Sequence, residues 1–123
     1  MNNKKLGTDF ENKVVEELNG MGYWVHFISP DQRGSQPFDI IAVKDGKAYA
    51  IDAKTCKAKS FGMTRVEDNQ KLAFDKWLKC GNSEPMFFVE YEDGIKIVDW
   101  LLLKQKGSVK LNECRDFERY KDL

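Results

Sequence analysis

A chain of 123 residues, 41% hydrophobic and 33% charged, has room for one domain with a modest core and is too apolar for a disordered protein. Its 20 basic and 20 acidic residues cancel, so bulk charge gives no argument for nucleic acid. No apolar run approaches the roughly 20 residues that span a bilayer, and the N-terminus MNNKKLGTDF lacks a hydrophobic signal core. Cys56, Cys80 and Cys114 are odd in number and follow no zinc-type spacing, which points to reduced thiols in a cytoplasmic protein with no membrane partner.

The first helix is predicted from about Thr8 to Met21, with Phe10, Val14, Leu18 and Met21 on one apolar stripe. Thr8 and Glu11 have capping-box spacing at its start, and Gly20 and Gly22 end it. YWVHFI (23–28) predicts a strand in which His26, the only histidine, is a core or surface residue rather than a ligand. SPDQRGSQ is a polar loop, and PFDIIAVKDGKAYAIDAK (37–54) reads as two strands joined by a tight turn. From Lys54 to Arg65 there are four basic residues and no acid, a local basic loop or simply a solvated one. A second helix is predicted from about Val66 to Lys79, with Val66, Ala73, Phe74 and Trp77 inward and Gly81 as its stop. MFFVEY and IKIVDW form another hairpin across Glu92–Asp93–Gly94, and ECRDFERYKDL can form a short amphipathic helix. The order α-β-β-β-α-β-β predicts an α/β fold, a mixed sheet flanked by helices, as one domain over residues 1–123.

The first hairpin raises a chemical question. With Asp45–Gly46 as its turn, facing residues sum to 91, so Asp39 faces Asp52. Like charges on directly opposed strand residues, roughly 5 Å apart at an effective dielectric of about 20, repel by about 3 kcal/mol. Solvent exposure, protonation of one partner or a cation can each relieve this. Lys54 points to the same face as Asp52 and can serve as a salt-bridge partner. Two close carboxylates beside a lysine also form a hard, oxygen-rich site suited to Mg²⁺. Gln70, four residues from both Val66 and Phe74, falls on the inward face of its helix, where a buried amide needs a partner.

Asp39 followed by Asp52-Ala53-Lys54 resembles the D…(D/E)xK signature of the PD-(D/E)XK nuclease superfamily. More specifically, GTDFENKVVEEL, RGSQPFDIIAV, AIDAKT and FGMTRVEDNQ resemble, in order, the motifs of Holliday-junction resolvases of the archaeal and bacterial RecU types. The resemblance covers residues 7 to 99 and implies a restriction-endonuclease-like fold. It implies metal ligands at Asp39 and Asp52, with the Ala53 carbonyl available, and an acidic residue from the first helix at Glu11. The capping box also explains Glu11, and the two roles can coexist. Lys54 corresponds to the residue that orients or activates water or neutralises the transition state. Gln70 matches the glutamine of RecU-type enzymes, with a core hydrogen bond as the alternative. Asp52 stands where Glu is commoner, and there is no long insertion of the kind that forms the RecU stalk. The loop with Arg33 and Ser35 is closer to the archaeal type, in which both can contact phosphate.

The resemblance thus implies a Mg²⁺-dependent endonuclease (Mn²⁺ substituting) that hydrolyses DNA phosphodiesters, most specifically a Holliday-junction resolvase. Its partners are four-way junctions and a second copy of the chain, since two symmetric cuts imply a homodimer. DNA contacts are expected at Arg33, Ser35, Lys57, Lys59 and Arg65. Two rivals share the fold: a repair or restriction nuclease acting on linear or flapped DNA, and a non-catalytic DNA-binding module.

Overall fold

The computed structural model describes residues 3–28, 37–118 and 121–123, with side chains from Asp9 onward. Its elements are helix α1 (Asn3–Gly20), strands β1 (Trp24–Phe27), β2 (Ile40–Lys44), β3 (Lys47–Thr55) and β4 (Ser60–Gly62), then helix α2 (Asp68–Lys79). Strands β5 (Met86–Tyr91) and β6 (Gly94–Asp99) follow, then helix α3 (Trp100–Lys106) and strands β7 (Ser108–Lys110) and β8 (Arg115–Asp116). Six strands form one sheet in the order β1-β2-β3-β5-β6-β8, and β4 pairs with β7 in a separate ribbon. Only β3 and β5 run parallel within the main sheet, so the chain between them must cross over a face, and α2 makes that crossing.

Alternation along β3 divides the core. Tyr49, Ile51 and Ala53 pack beneath α1, against Phe10, Val14 and Leu18 of the predicted stripe. Ala50 faces the other way, where Phe74 of α2, Trp100 and Leu103 of α3 and Phe61 of β4 gather around Phe87. Each such large apolar side chain contributes roughly 1.5–3 kcal/mol by leaving water, which fixes both helical layers onto the sheet.

The Asp45–Gly46 turn forms as predicted. Both residues have positive φ, 52° and 77°, as a type I′ turn requires, and Lys44 pairs with Lys47 and Val43 with Ala48. Several boundaries differ from expectation. The first helix begins at Asn3, so Thr8 lies within it and does not cap it. The second hairpin turns on Glu92–Asp93 alone, because Gly94 already pairs with Tyr91. Trp100 opens α3 instead of closing β6; its N–H donates to the Pro85 carbonyl (3.0 Å), and the Leu101 N–H to the Glu84 carboxylate (2.8 Å). The expected amphipathic helix near the C-terminus is replaced by β8, whose Asp116 and Arg115 form ion pairs with Lys96 (2.8 Å) and Asp99 (3.0 Å) of the neighbouring strand β6. Phe117 then packs on Phe88 with ring centroids 5.0 Å apart. Among the described residues no helix is long and apolar enough to cross a membrane.

Candidate active site

The β2–β3 ladder keeps its 91-sum register from Lys44–Lys47 to Ile40–Ile51 and then stops. One step further, the Asp39 N–H donates to the Ile51 carbonyl (3.2 Å), so Asp39 sits slightly out of line with Asp52. Along β3, the backbone groups of Ile51, Ala53 and Thr55 face this vacated side. The Ala53 N–H donates to Asp39 Oδ2 (3.0 Å), and the Thr55 carbonyl accepts from Arg65 Nη2 (2.9 Å). Side chains therefore take hydrogen-bonding positions that a longer β2 would have filled. The Ala53 carbonyl faces the same edge, between these two contacts.

Among the described residues only three polar or charged side chains are buried: Asp39, Asp52 and Gln70, at 8%, 2% and 4% exposure. All three were singled out from sequence. The Asp39 and Asp52 carboxyls lie within hydrogen-bonding reach of each other, and burial, then the Asp39 charge, holds the Asp52 carboxyl well above the ordinary carboxylate range. Lys54 Nζ stands 3.1 Å from Asp52 Oδ2 and partly offsets that shift. That contact is an ion pair, and no hydrogen bond closes on this buried oxygen.

Glu11 lies on α1, half-buried, and feels both Asp39 and Lys54. Its carboxyl is pushed up to about 7, first by burial and then by Asp39, with Lys54 opposing. With Thr8 inside the helix, the capping explanation for Glu11 falls away. Glu11 does not close up with the aspartates: among the described residues no three His, Cys, Asp or Glu side chains gather tightly enough to hold a metal ion. Gln70 has a structural task. Its Oε1 accepts the Glu67 N–H (3.2 Å), while the Glu67 side chain accepts the Gln70 N–H, a reciprocal cap on α2. Its amide nitrogen remains for a contact in the site. The Glu-x-x-Gln spacing carried this signal, but Glu is not among the favoured N-cap residues.

The basic positions divide. Arg65 is held at the site edge by Thr55 and lies 5.4 Å above the Phe61 ring. Lys57 and Lys59 are exposed and line a cleft of about 490 Å³ beyond the ends of β3 and β5. Glu90 and Glu92 line it too, so the cleft is balanced in charge rather than cationic. Arg33 and Ser35 lie outside the described residues.

The donor chemistry suits a hard divalent cation. Two carboxylates, one with an unbonded buried oxygen, and a nearby backbone carbonyl are oxygen ligands only. Such a cation would satisfy the Asp52 oxygen that has the Lys54 ion pair but no hydrogen bond.

The sequence matches no protein-family model and no curated protein. The structure does have counterparts. It is similar to Hjc, a Holliday junction resolvase from the archaeal hyperthermophile Archaeoglobus fulgidus, with a TM-score of 0.66 and 14% identity over 85% of this chain and 86% of that one. A protein of unknown function aligns over 68% of this chain and 47% of its own, at 20% identity and a TM-score of 0.45. The first likeness establishes the fold: a mixed α/β, resolvase-like form of the restriction-endonuclease fold.

Proposed function

We propose that this chain is a divalent-metal-dependent DNA endonuclease, a single nuclease domain that resolves four-way junctions in the cytoplasm. The observation that carries the reading is the buried Asp39–Asp52 pair, with Lys54 at 3.1 Å and one carboxylate oxygen left unbonded. Opposed carboxylates in a sheet are costly, so a compensating ligand explains why they are there. The resolvase-like fold supports the same reading.

Asp39 and Asp52 would hold Mg²⁺, or Mn²⁺ in its place, with the Ala53 carbonyl beside them. Held there, the ion would supply an acidified water and Lewis acidity for phosphodiester hydrolysis. Lys54 Nζ, on the same side as Asp52, neutralises charge that grows on the phosphorane-like transition state. Glu11, which feels the Asp39 charge from α1, orders the approach to the pair, and the Gln70 amide orients water. Arg65 and Lys57, Lys59, Arg33 and Ser35 contact phosphates flanking the cut, which leaves a 5′-phosphate and a 3′-hydroxyl.

Resolution of a junction requires two equivalent cuts, so the working form is a homodimer whose twofold axis matches that of the substrate. The test is to map Mg²⁺-dependent cuts on a four-way junction, with linear duplex and flap as controls. Paired nicks at symmetry-related positions on opposing strands are expected. Single unpaired nicks, or equal cutting of duplex and flap, would leave a nuclease that is not a resolvase.

A further inference from the structure

The sheet register carries the active face outward to the edge strand β1. His26 pairs with Ile41, and Ile41 with Ala50, which stands two residues before Asp52 and on its face. Val25 and Phe27 turn the opposite way and pack under α1. Trp24 and His26 are thus left on the Asp52 side, and their rings stack nearly parallel, 9° apart with centroids separated by 6.0 Å. Trp24 is 61% exposed, whereas Trp100 is 1% exposed.

A lone exposed indole needs no explanation. This one is oriented by a second flat ring, stands on the face that holds the carboxylate pair, and has His26 as its only ring contact among the described residues. Counting about 4.8 Å per strand and 3.4 Å per residue, His26 lies roughly 8 Å and Trp24 roughly 14 Å from Asp39. Both distances fall within a few nucleotides along one strand, which advances about 3.4 Å per nucleotide when stacked and further when not.

We propose that the Trp24–His26 stack is a platform for an unstacked nucleobase of the DNA strand whose phosphate meets the Asp39–Asp52 pair. The inference rests on the nuclease reading and adds the path of the strand across the sheet. A flat π-face continues the existing column, and every base offers one, so the contact is indifferent to sequence. Bases inside a duplex already stack on their neighbours and have no face to offer. Strands that leave a duplex at a branch do, and this selects branched over linear DNA without base readout.

The test measures affinity for a four-way junction, a short oligothymidylate and a linear duplex, with Ca²⁺ in place of Mg²⁺. Trp24→Ala should weaken junction and single-strand binding roughly tenfold or more and leave duplex binding unchanged. Trp24→Phe should restore most of the loss, and His26→Ala, which removes the supporting ring, should give an intermediate loss. Unchanged junction affinity in Trp24→Ala, or an equal loss on duplex, overturns the platform. So does a Trp24→Ala protein that loses only self-association, since the stack is then a contact between copies. Wild-type protein that binds none of the three DNAs removes the nuclease reading as well; binding indifferent to Trp24 removes only the platform.

Discussion

Asp52 carries a cost that the folded chain bears alone when no cation is present. Burial and the Asp39 charge raise its carboxyl pKa from 3.8 in the folded state, so the folded protein holds its proton more tightly than the unfolded chain does. Below the unfolded value both states are protonated and no penalty exists. As pH rises from about 4 towards the raised folded value, the unfolded chain ionises first and the fold loses stability. In EDTA, the Tm advantage of Asp52→Asn over wild type should therefore be near zero at pH 4 and grow to several degrees by neutral pH. Millimolar Mg²⁺ should raise the wild-type Tm and leave that of Asp52→Asn little changed. A pH-independent difference, with wild-type melting indifferent to Mg²⁺, would contradict the metal-site account. The pairing itself was legible because an Asp-Gly turn sets the register. The small offset of Asp39 was not, since it depends on where β2 ends. Glu11 was ambiguous because Thr8–Glu11 has cap spacing inside a helix that begins five residues earlier.

At the scale of the element, α2 shows how one residue can be read correctly for burial and incompletely for task. The helical period put Gln70 inward, and it is buried. Its hydrogen bond, however, closes the helix start with Glu67. Gln70→Ala should cost about 1 kcal/mol through the cap. Gln70→Glu keeps an acceptor at the same reach, so it should hold the cap at acid pH, where the new carboxyl is protonated, and lose stability as it ionises, measured by urea denaturation. If Gln70→Glu folds normally yet loses most cleavage, the amide itself acts in the site. If it folds and cleaves normally, Gln70 is only the cap. The C-terminal segment was misread for a different reason. Two-residue β8 is held by Lys96, Ile97 and Asp99, partners distant in sequence that no local period reveals.

For the whole molecule, the order of helices and strands was sufficient to predict a mixed sheet with helical layers, because apolar periodicity reports which faces must be covered. The β4–β7 ribbon was hidden, since each strand has three residues and the pairing spans more than forty positions. Net neutrality of the chain and the balanced cleft leave no broad cationic surface there, so the proposed recognition of DNA would have to come from a few placed contacts and from matching symmetry. The central claim is that the carboxylate pair and Lys54 hydrolyse DNA. Its most direct measurement is single-turnover cleavage of a four-way junction in Mg²⁺ by wild type, Asp52→Asn and Lys54→Ala, each at saturating protein. The account predicts metal-dependent cleavage by wild type, none by Asp52→Asn, and a rate at least 100-fold lower for Lys54→Ala with junction affinity nearly retained, in the range of roughly 2.7 kcal/mol or more for a lost transition-state contact. Wild-type rates in Asp52→Asn, or cleavage that survives EDTA, would contradict it.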